Sequence, residues 1–371
     1  MPRARIGFVV ETILGHASHF RHLVEAAAAD PDVEPVWMPI AGWSEDRWQQ
    51  LPEWLRGNWT VLAGLRARDS VRAAMRLGRL DALYFHTQVT AMLLPDVLRS
   101  VPAVLSLDAT PRQIDRLGGG YDHRPSAVPG LETAKSYLHG RLFAAARRLA
   151  AWTPWVAGSL TEDYGVPARR IDVVPPGVDT AYLGGAAAPR AGRTGPLRVL
   201  FVGGDFERKG GPQLVEALGR LPAGAWTLDV VSYRRADGPP IPGARLIRWL
   251  PPRSPEYLEV FAAADVLALP TLADTFGWVL VEAMAAGLPV VATRVAALPD
   301  VVTHGATGLL VEPGDVAGLA AALGRLAADR ELRLRMGAAA RADALKRFDA
   351  AANYRRLLGV IKAVGRARVP A

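Results

Sequence analysis

TLADTFGWVLVEAMAAGLPVVATRVAALPDVVTHGATGLLVEPG, Thr271 to Gly314, places two carboxylates, Asp274 and Glu282, around a glycine-bearing turn at a predicted helix start. Just before it, Asp265 to Pro270 is a short apolar run ended by proline. Such a run suits a buried parallel strand whose C-terminal end opens into a loop. Asp274, Thr275, Phe276 and Gly277 form that loop. From Trp278 the apolar positions Val279, Leu280, Ala283, Met284 and Leu288 recur at helical spacing, and Gly287-Leu288-Pro289 stops the helix. Backbone N–H groups and the positive end of the helix dipole near Phe276 to Val279 suit a diphosphate. Glu282, one turn further in, suits hydrogen bonds from ribose or sugar hydroxyls. The next apolar run, Pro289 to Ala292, completes a strand-loop-helix-strand unit.

A second patch has the same form. Leu197 to Val202 reads as a strand and runs into Gly203-Gly204-Asp205-Phe206-Glu207-Arg208-Lys209-Gly210-Gly211, with Pro212 opening a helix. Glycines let the backbone approach an anion, and a cation at the loop end can neutralise it. Lys209 stands out because the chain uses arginine almost everywhere, with lysine only at 135, 209, 346 and 362. A length of 371 residues exceeds the size at which one core stays single, and strand-helix alternation predicts two α/β domains with parallel, doubly wound sheets. Val173 to Asp179, with the Gly/Ala/Pro-rich stretch up to Gly195, reads as the linker between them.

The segment from Thr271 resembles the C-terminal donor site of the GT-B glycosyltransferases, family 4 in particular. That family's hallmark is Glu, seven residues and a second Glu, followed by Ala-Met-Ala-x-Gly-x-Pro-Val. Here Asp274 stands at the first acidic place and Glu282 at the second. Ala296-Ala297-Leu298-Pro299-Asp300 is similar to the family's Gly-Gly-x-Pro-Glu, and Gly305 to Pro313 matches its Gly-x-x-Gly-x-Leu-Val-x-Pro. In the family a Gly-Arg turn precedes a Lys-Gly and both cations meet the donor pyrophosphate; this chain keeps Lys209-Gly210, has Gly204 where the arginine would stand, and offers Arg208 as a substitute. The resemblance implies two Rossmann-like domains facing a central cleft: an acceptor domain over 1–178, a donor domain over 179–345, and a terminal helix in 346–371 returning to the first. That helix is expected from about Ala338 to Val364. The resemblance further implies a retaining, metal-independent transfer from a nucleotide sugar to a hydroxyl of a sugar, glycolipid or other acceptor, with no cofactor. Lys209, Arg208 and the Phe276 and Gly277 amides would meet the diphosphate, Asp274 the donor-sugar hydroxyls and Glu282 the ribose or sugar hydroxyls. Closure about Pro175 to Gly177 would exclude water.

The first half supplies further candidates. Gly15-His16-Ala17-Ser18-His19-Phe20-Arg21-His22 follows the first strand and opens a helix, so the three histidines can share a face. His16 is the expected site residue and Gly15 a cleft candidate, with His19 and His22 assigned to packing or capping. Ala82 to His86 and Ala103 to Asp108 each end an apolar strand with a polar residue, which puts His86 and Asp108 at the ligand edge of an open parallel sheet. Relatives carry a histidine where this chain has Asp108. Arg112 to Tyr121 reads as a mobile loop able to close over an acceptor.

Composition narrows the rest. The absence of cysteine excludes disulfides, thiolate catalysis and cysteine-ligated metals. The net charge of +8 comes without an aromatic-interleaved basic motif, so no nucleic-acid partner is expected. Arg68, Arg72, Arg76 and Arg79 share one predicted helical face, with Val71, Met75 and Leu80 on another. Such a helix suits a peripheral contact with an anionic membrane. The short apolar run at the N-terminus is interrupted by Glu11, and no segment has the length of a membrane span, so a cytoplasmic protein is expected, at most peripheral on the inner face of the membrane. The rival readings are a sugar-nucleotide epimerase or phosphorylase on the same fold, and a non-enzymatic two-lobed sugar-binding protein.

Overall fold

The apolar runs become parallel ladders in two separate sheets. The computed structural model describes residues 3–13, 15–42, 46–118, 130–187, 193–233, 241–248 and 250–366. The chain divides into two units, one built from residues up to 177 together with those from 351 onward, the other from 178–350.

In the first unit, β1 (Ala4–Glu11), β2 (Val33–Ile40), β3 (Ala82–His86), β4 (Ala103–Leu107), β5 (Arg148–Ala151) and β6 (Ile171–Val173) pair in the order β2-β1-β3-β4-β5-β6. Every residue of β3 and β4 is buried, which is why these strands are continuous apolar runs and not alternating ones. The chain leaves β1 toward β2 on one side and returns to β3 on the other. The crevice beyond the ends of β1 and β3, at Glu11 and His86, is therefore the topological switch point where ligands bind in open sheets.

In the second unit, β7 (Leu197–Val202), β8 (Trp226–Val231), β9 (Ala244–Ile247), β10 (Val266–Leu269), β11 (Val290–Thr293) and β12 (Gly308–Val311) pair in the order β12-β11-β10-β7-β8-β9. Here the switch point lies between β7 and β10, with Val199 opposite Val266 and Leu200 opposite Leu267. That register brings the ends of the two strands level. The Gly203–Lys209 and Pro270–Gly277 loops leave the sheet side by side.

Four sequence expectations need correction. The terminal helix is two helices, Arg330–Arg347 and Ala350–Arg366. Between them Phe348, which is buried, and Asp349 leave the helical path to pair with Val178: Val178 N–H donates to the Phe348 carbonyl at 2.9 Å and Ala350 N–H to the Val178 carbonyl at 3.0 Å. Pro111–Leu117 is a helix and not a loop. Thr110 caps it, and the Gln113 side chain accepts from Thr110 N–H at 2.9 Å, a reciprocal capping box. The remainder of the expected loop, 119–121, lies outside the described residues. Within the expected linker, Thr180–Gly184 forms a short helix whose first turn is capped by Asp179 at 2.9 Å. Finally, the arginine helix is Trp59–Arg76, so Arg79 and Leu80 lie beyond its end.

One glycine sets how closely the loops after β7 and β10 pack. Gly210 has φ +80°, and a Cβ there would lie 1.9 Å from the carbonyl oxygen of Pro270. Gly210→Ala combines left-handed backbone strain with a backbone clash and is expected to cost about 2–4 kcal/mol in urea denaturation. An unchanged midpoint would show that this approach is not a constraint on the fold.

Candidate functional site

At the switch point of the second unit, charge is concentrated on two facing loops. Lys209 Nζ forms an ion pair with Asp274 Oδ2, both side chains being largely buried. The other carboxylate oxygen, Oδ1, accepts from Gly277 N–H at 3.2 Å and Phe276 N–H at 3.4 Å. The expected diphosphate donors Lys209, Phe276 and Gly277 are thus gathered around Asp274. An ammonium and two amides converging on one carboxylate are the donors an anionic ligand uses.

The loops are tied from behind. Arg208 does not point to solvent: its Nη1 donates to the Ala273 carbonyl at 2.8 Å and its Nε lies 3.8 Å from Asp205. Leu272 N–H donates to the Arg208 carbonyl at 2.9 Å, and Thr293 Oγ1 on β11 donates to the Thr271 carbonyl at 2.6 Å. At Gly204 a Cβ would lie 2.4 Å from the ring of half-exposed Tyr233, which would have to swing aside to admit it. Glu282, on the helix Trp278–Ala285, accepts from the Tyr257 hydroxyl at 2.7 Å.

The first unit brings His16, His86 and Asp108 together at its own switch point. His16 Nε2 lies 3.6 Å from Asp108 Oδ2 and its Nδ1 3.5 Å from Glu11 Oε2. Gly15 is the residue before the helix His16–Ala28 and sets His16 at its first position. Burial disfavours the His16 imidazolium, but Asp108 and Glu11 outweigh it and raise the pKa to about 10. His86 is fully buried, stacks on Trp152 at 4.9 Å and meets the His16 ring edge-on at 4.6 Å. Burial, with His19 and His16 beside it, holds His86 neutral. His19 is held between the Tyr354 and Tyr84 hydroxyls, each at 2.8 Å, and burial keeps it neutral too. His22 lies 3.2 Å from Glu25.

Glu11, Trp152 and Tyr257 were not among the residues expected from sequence. Glu11 has a readable signal, since it is a carboxylate ending an apolar strand, as Asp108 follows β4. Its Oε1 accepts from the Thr87 hydroxyl at 2.7 Å. Trp152 and Tyr257 lie far in sequence from the groups they touch and carried no local signal. Among the described residues no group of three or more His, Asp or Glu side chains is arranged to hold a metal ion.

The charged state of His16 has a consequence for stability. A folded-state pKa above the ordinary 6.5 adds stability that is fully present below pH 6.5 and lost as pH rises through about 10. Relative to His16→Gln, the wild type is expected to lose stability progressively across that window, with an imidazole titrating near pH 10 by NMR. A midpoint at or below 6.5 would contradict the ion-pair geometry.

Two family models cover most of the chain. That of the glycosyl transferases group 1 matches residues 196–329, and that of glycosyltransferase family 4 matches residues 15–182. The chain is similar to a D-inositol 3-phosphate glycosyltransferase of Paenarthrobacter aurescens, 31% identical over 294 residues, 72% of this chain and 69% of that protein. A protein of the same name from Nocardia farcinica is 39% identical over 218 residues, 53% of this chain and 48% of that one. The chain spans about half the length of this and other curated relatives that it matches. Among solved structures it resembles sucrose-phosphate synthase from Thermosynechococcus elongatus, with TM-score 0.76, 18% identity and coverage of 99% and 100% of the two chains. It also resembles Anabaena HepE in complex with UDP and glucose, with TM-score 0.69, 17% identity and coverage of 97% and 100%. With both sheets and these matches in agreement, the chain belongs to glycosyltransferase family 4, the group 1 glycosyl transferases of GT-B fold.

Proposed function

We propose that the chain transfers a sugar from a nucleoside diphosphate sugar to an acceptor hydroxyl, with retention at the anomeric carbon and without a metal. The observation that carries this reading is the Lys209–Asp274 pair bridging the two loops at the β7/β10 switch point. A diphosphate arriving there takes Lys209 and the Phe276 and Gly277 amides from Asp274, and Arg208 adds positive charge from behind the loop. Asp274, released, turns to the donor-sugar hydroxyls. Glu282, oriented by Tyr257, accepts from the ribose or sugar hydroxyls. The leaving diphosphate is stabilised by fixed donors, which need no reorganisation as charge develops.

On this reading the first unit, over 1–178, holds the acceptor, with His16, Asp108 and His86 at its edge and Gly15 setting the His16 turn. The second, over 179–345, holds the donor, and the segment 346–371 belongs with the first. UDP is named in the HepE complexes and inositol phosphate in the relatives, and both support a nucleotide donor with a hydroxyl acceptor. A peripheral membrane contact through the Arg68–Arg79 stretch is supported by exposed Met75 and Leu77 beside exposed Arg72, Arg76 and Arg79. No described helix is long and apolar enough to cross a membrane. Arg68 stacks over Trp48 at 5.9 Å, Arg72 pairs with Asp96 at 3.3 Å and Arg79 lies 4.0 Å from Asp81, so the contact would rest chiefly on Arg76.

Thermal unfolding with UDP, GDP, ADP and dTDP tests the donor reading. One nucleotide at a hundredfold excess over its Kd is expected to stabilise the protein by about 2.7 kcal/mol without added metal. Lys209→Ala should weaken that binding by about ten- to a hundredfold, as expected for loss of a charge-assisted contact. Stabilisation by none of the four would remove the ground for a nucleotide-sugar donor.

A further inference from the structure

The first unit contains a cavity of about 810 Å³. It lies among the start of the helix Trp59–Arg76, the turn Gln88–Ala91 after β3, the helix Pro111–Leu117 after β4, and the helix Leu131–Ala145. Trp59 links it to the charged cluster: the indole lines the cavity and its N–H donates to Glu11 Oε2 at 3.4 Å. Glu11 in turn stands 3.5 Å from His16. A hydroxyl held near Trp59 is therefore close to the Glu11–His16–Asp108 group.

Three features of the lining specify what fits. Part of its wall is apolar, with Val89, Met92, Ile114 and a half-exposed Leu138 set among polar side chains. Among the described residues its charges cancel: Arg112 and Lys135 against Asp115 and Glu132, two minus two. Lys135 is 2.8 Å from Glu132, and Arg112 is 3.8 Å from Asp163 while donating to Ser136 Oγ at 2.8 Å. A phosphate entering would have to take a cation from a carboxylate that already faces it, at a desolvation cost. Lastly, Gln88 and His139 line the cavity and are more than nine-tenths buried, yet Gln88 Oε1 and His139 Nδ1 have no hydrogen-bond partner. Burial, with Lys135 nearby and against the pull of Asp115, lowers the His139 pKa to about 4, so it is an uncharged hydrogen-bonding group at neutral pH. Unsatisfied buried polar atoms are costly, and hydroxyls of a ligand supply the missing partners.

We infer that this cavity binds an uncharged, hydroxyl-bearing molecule with an apolar body, of the aryl or alkyl glycoside class, in preference to a phosphorylated polyol. Calling that molecule the acceptor rests on the transferase reading; its binding does not. The inference departs from the anionic inositol phosphate in the names of the relatives.

A matched set of probes tests it by titration calorimetry: phenyl β-D-glucoside, glucose and glucose 6-phosphate. Phenyl glucoside should bind at least about tenfold tighter than glucose 6-phosphate, with glucose between them. Gln88→Leu should weaken phenyl glucoside about fivefold. Leu138→Arg, a change at a half-exposed position, should fold normally and shift the preference toward glucose 6-phosphate. Equal or tighter binding of glucose 6-phosphate to the wild type, no binding of phenyl glucoside by folded protein, or an unchanged preference in Leu138→Arg would each overturn the inference. Nucleotide stabilisation on the same preparations separates the two readings. Phenyl glucoside bound without any nucleotide effect leaves the cavity assigned and the donor reading lost, and the reverse result does the opposite.

Discussion

The ion pair between Lys209 and Asp274 is the constraint around which the second unit is arranged. It joins loops from β7 and β10, which are neighbours only because the sheet order reverses there. Gly210 lets the first loop lie against the Pro270 carbonyl, while Arg208 and Thr293 fix the carbonyls of Ala273 and Thr271. A largely buried pair of this kind adds little net stability after desolvation. Its importance is geometric, since it holds an ammonium and two amides converged on one carboxylate.

The first unit uses the same edge of its sheet for a different electrostatic end. Three histidines, His16, His19 and His86, pack ring to ring, yet only His16 has carboxylates within ion-pair distance on both sides. Burial alone would neutralise all three. Glu11 and Asp108 reverse the outcome for one, while two tyrosine hydroxyls satisfy both nitrogens of His19 without a charge. Neighbouring imidazoles thus hold opposite protonation states for identifiable local reasons.

Sequence made the sheets legible because buried parallel strands are continuous apolar runs: Leu197–Val202 and Ala82–His86 fall where that rule puts them. Lys209 and Asp274 were legible as candidates because their loops follow such strands directly, and Glu282 because it lies on the helix that opens after the second loop. Local rules failed where distant contacts decide. The break at Phe348 and Asp349 depends on Val178, and nothing in the helical spacing of 338–364 reveals it. The helix Pro111–Leu117 is readable from Thr110, Pro111 and Gln113, although its charged residues and the glycines after it suit a loop equally well. Tyr257 and Trp152 reach their partners through the fold alone. That Asp274 collects the Phe276 and Gly277 amides is a short-range turn geometry that the residue types permit without specifying.

In the proposed reading Lys209 attracts a diphosphate and Asp274 occupies the site in its absence, so substitutions of the two should act with opposite sign. The most direct measurement is calorimetric affinity for the best-bound free nucleoside diphosphate in the wild type, Lys209→Ala and Asp274→Asn. The account predicts weaker binding in Lys209→Ala and binding at least as tight as wild type in Asp274→Asn. Loss of affinity in Asp274→Asn comparable to that in Lys209→Ala would contradict it, showing that the carboxylate builds the diphosphate site instead of competing for it.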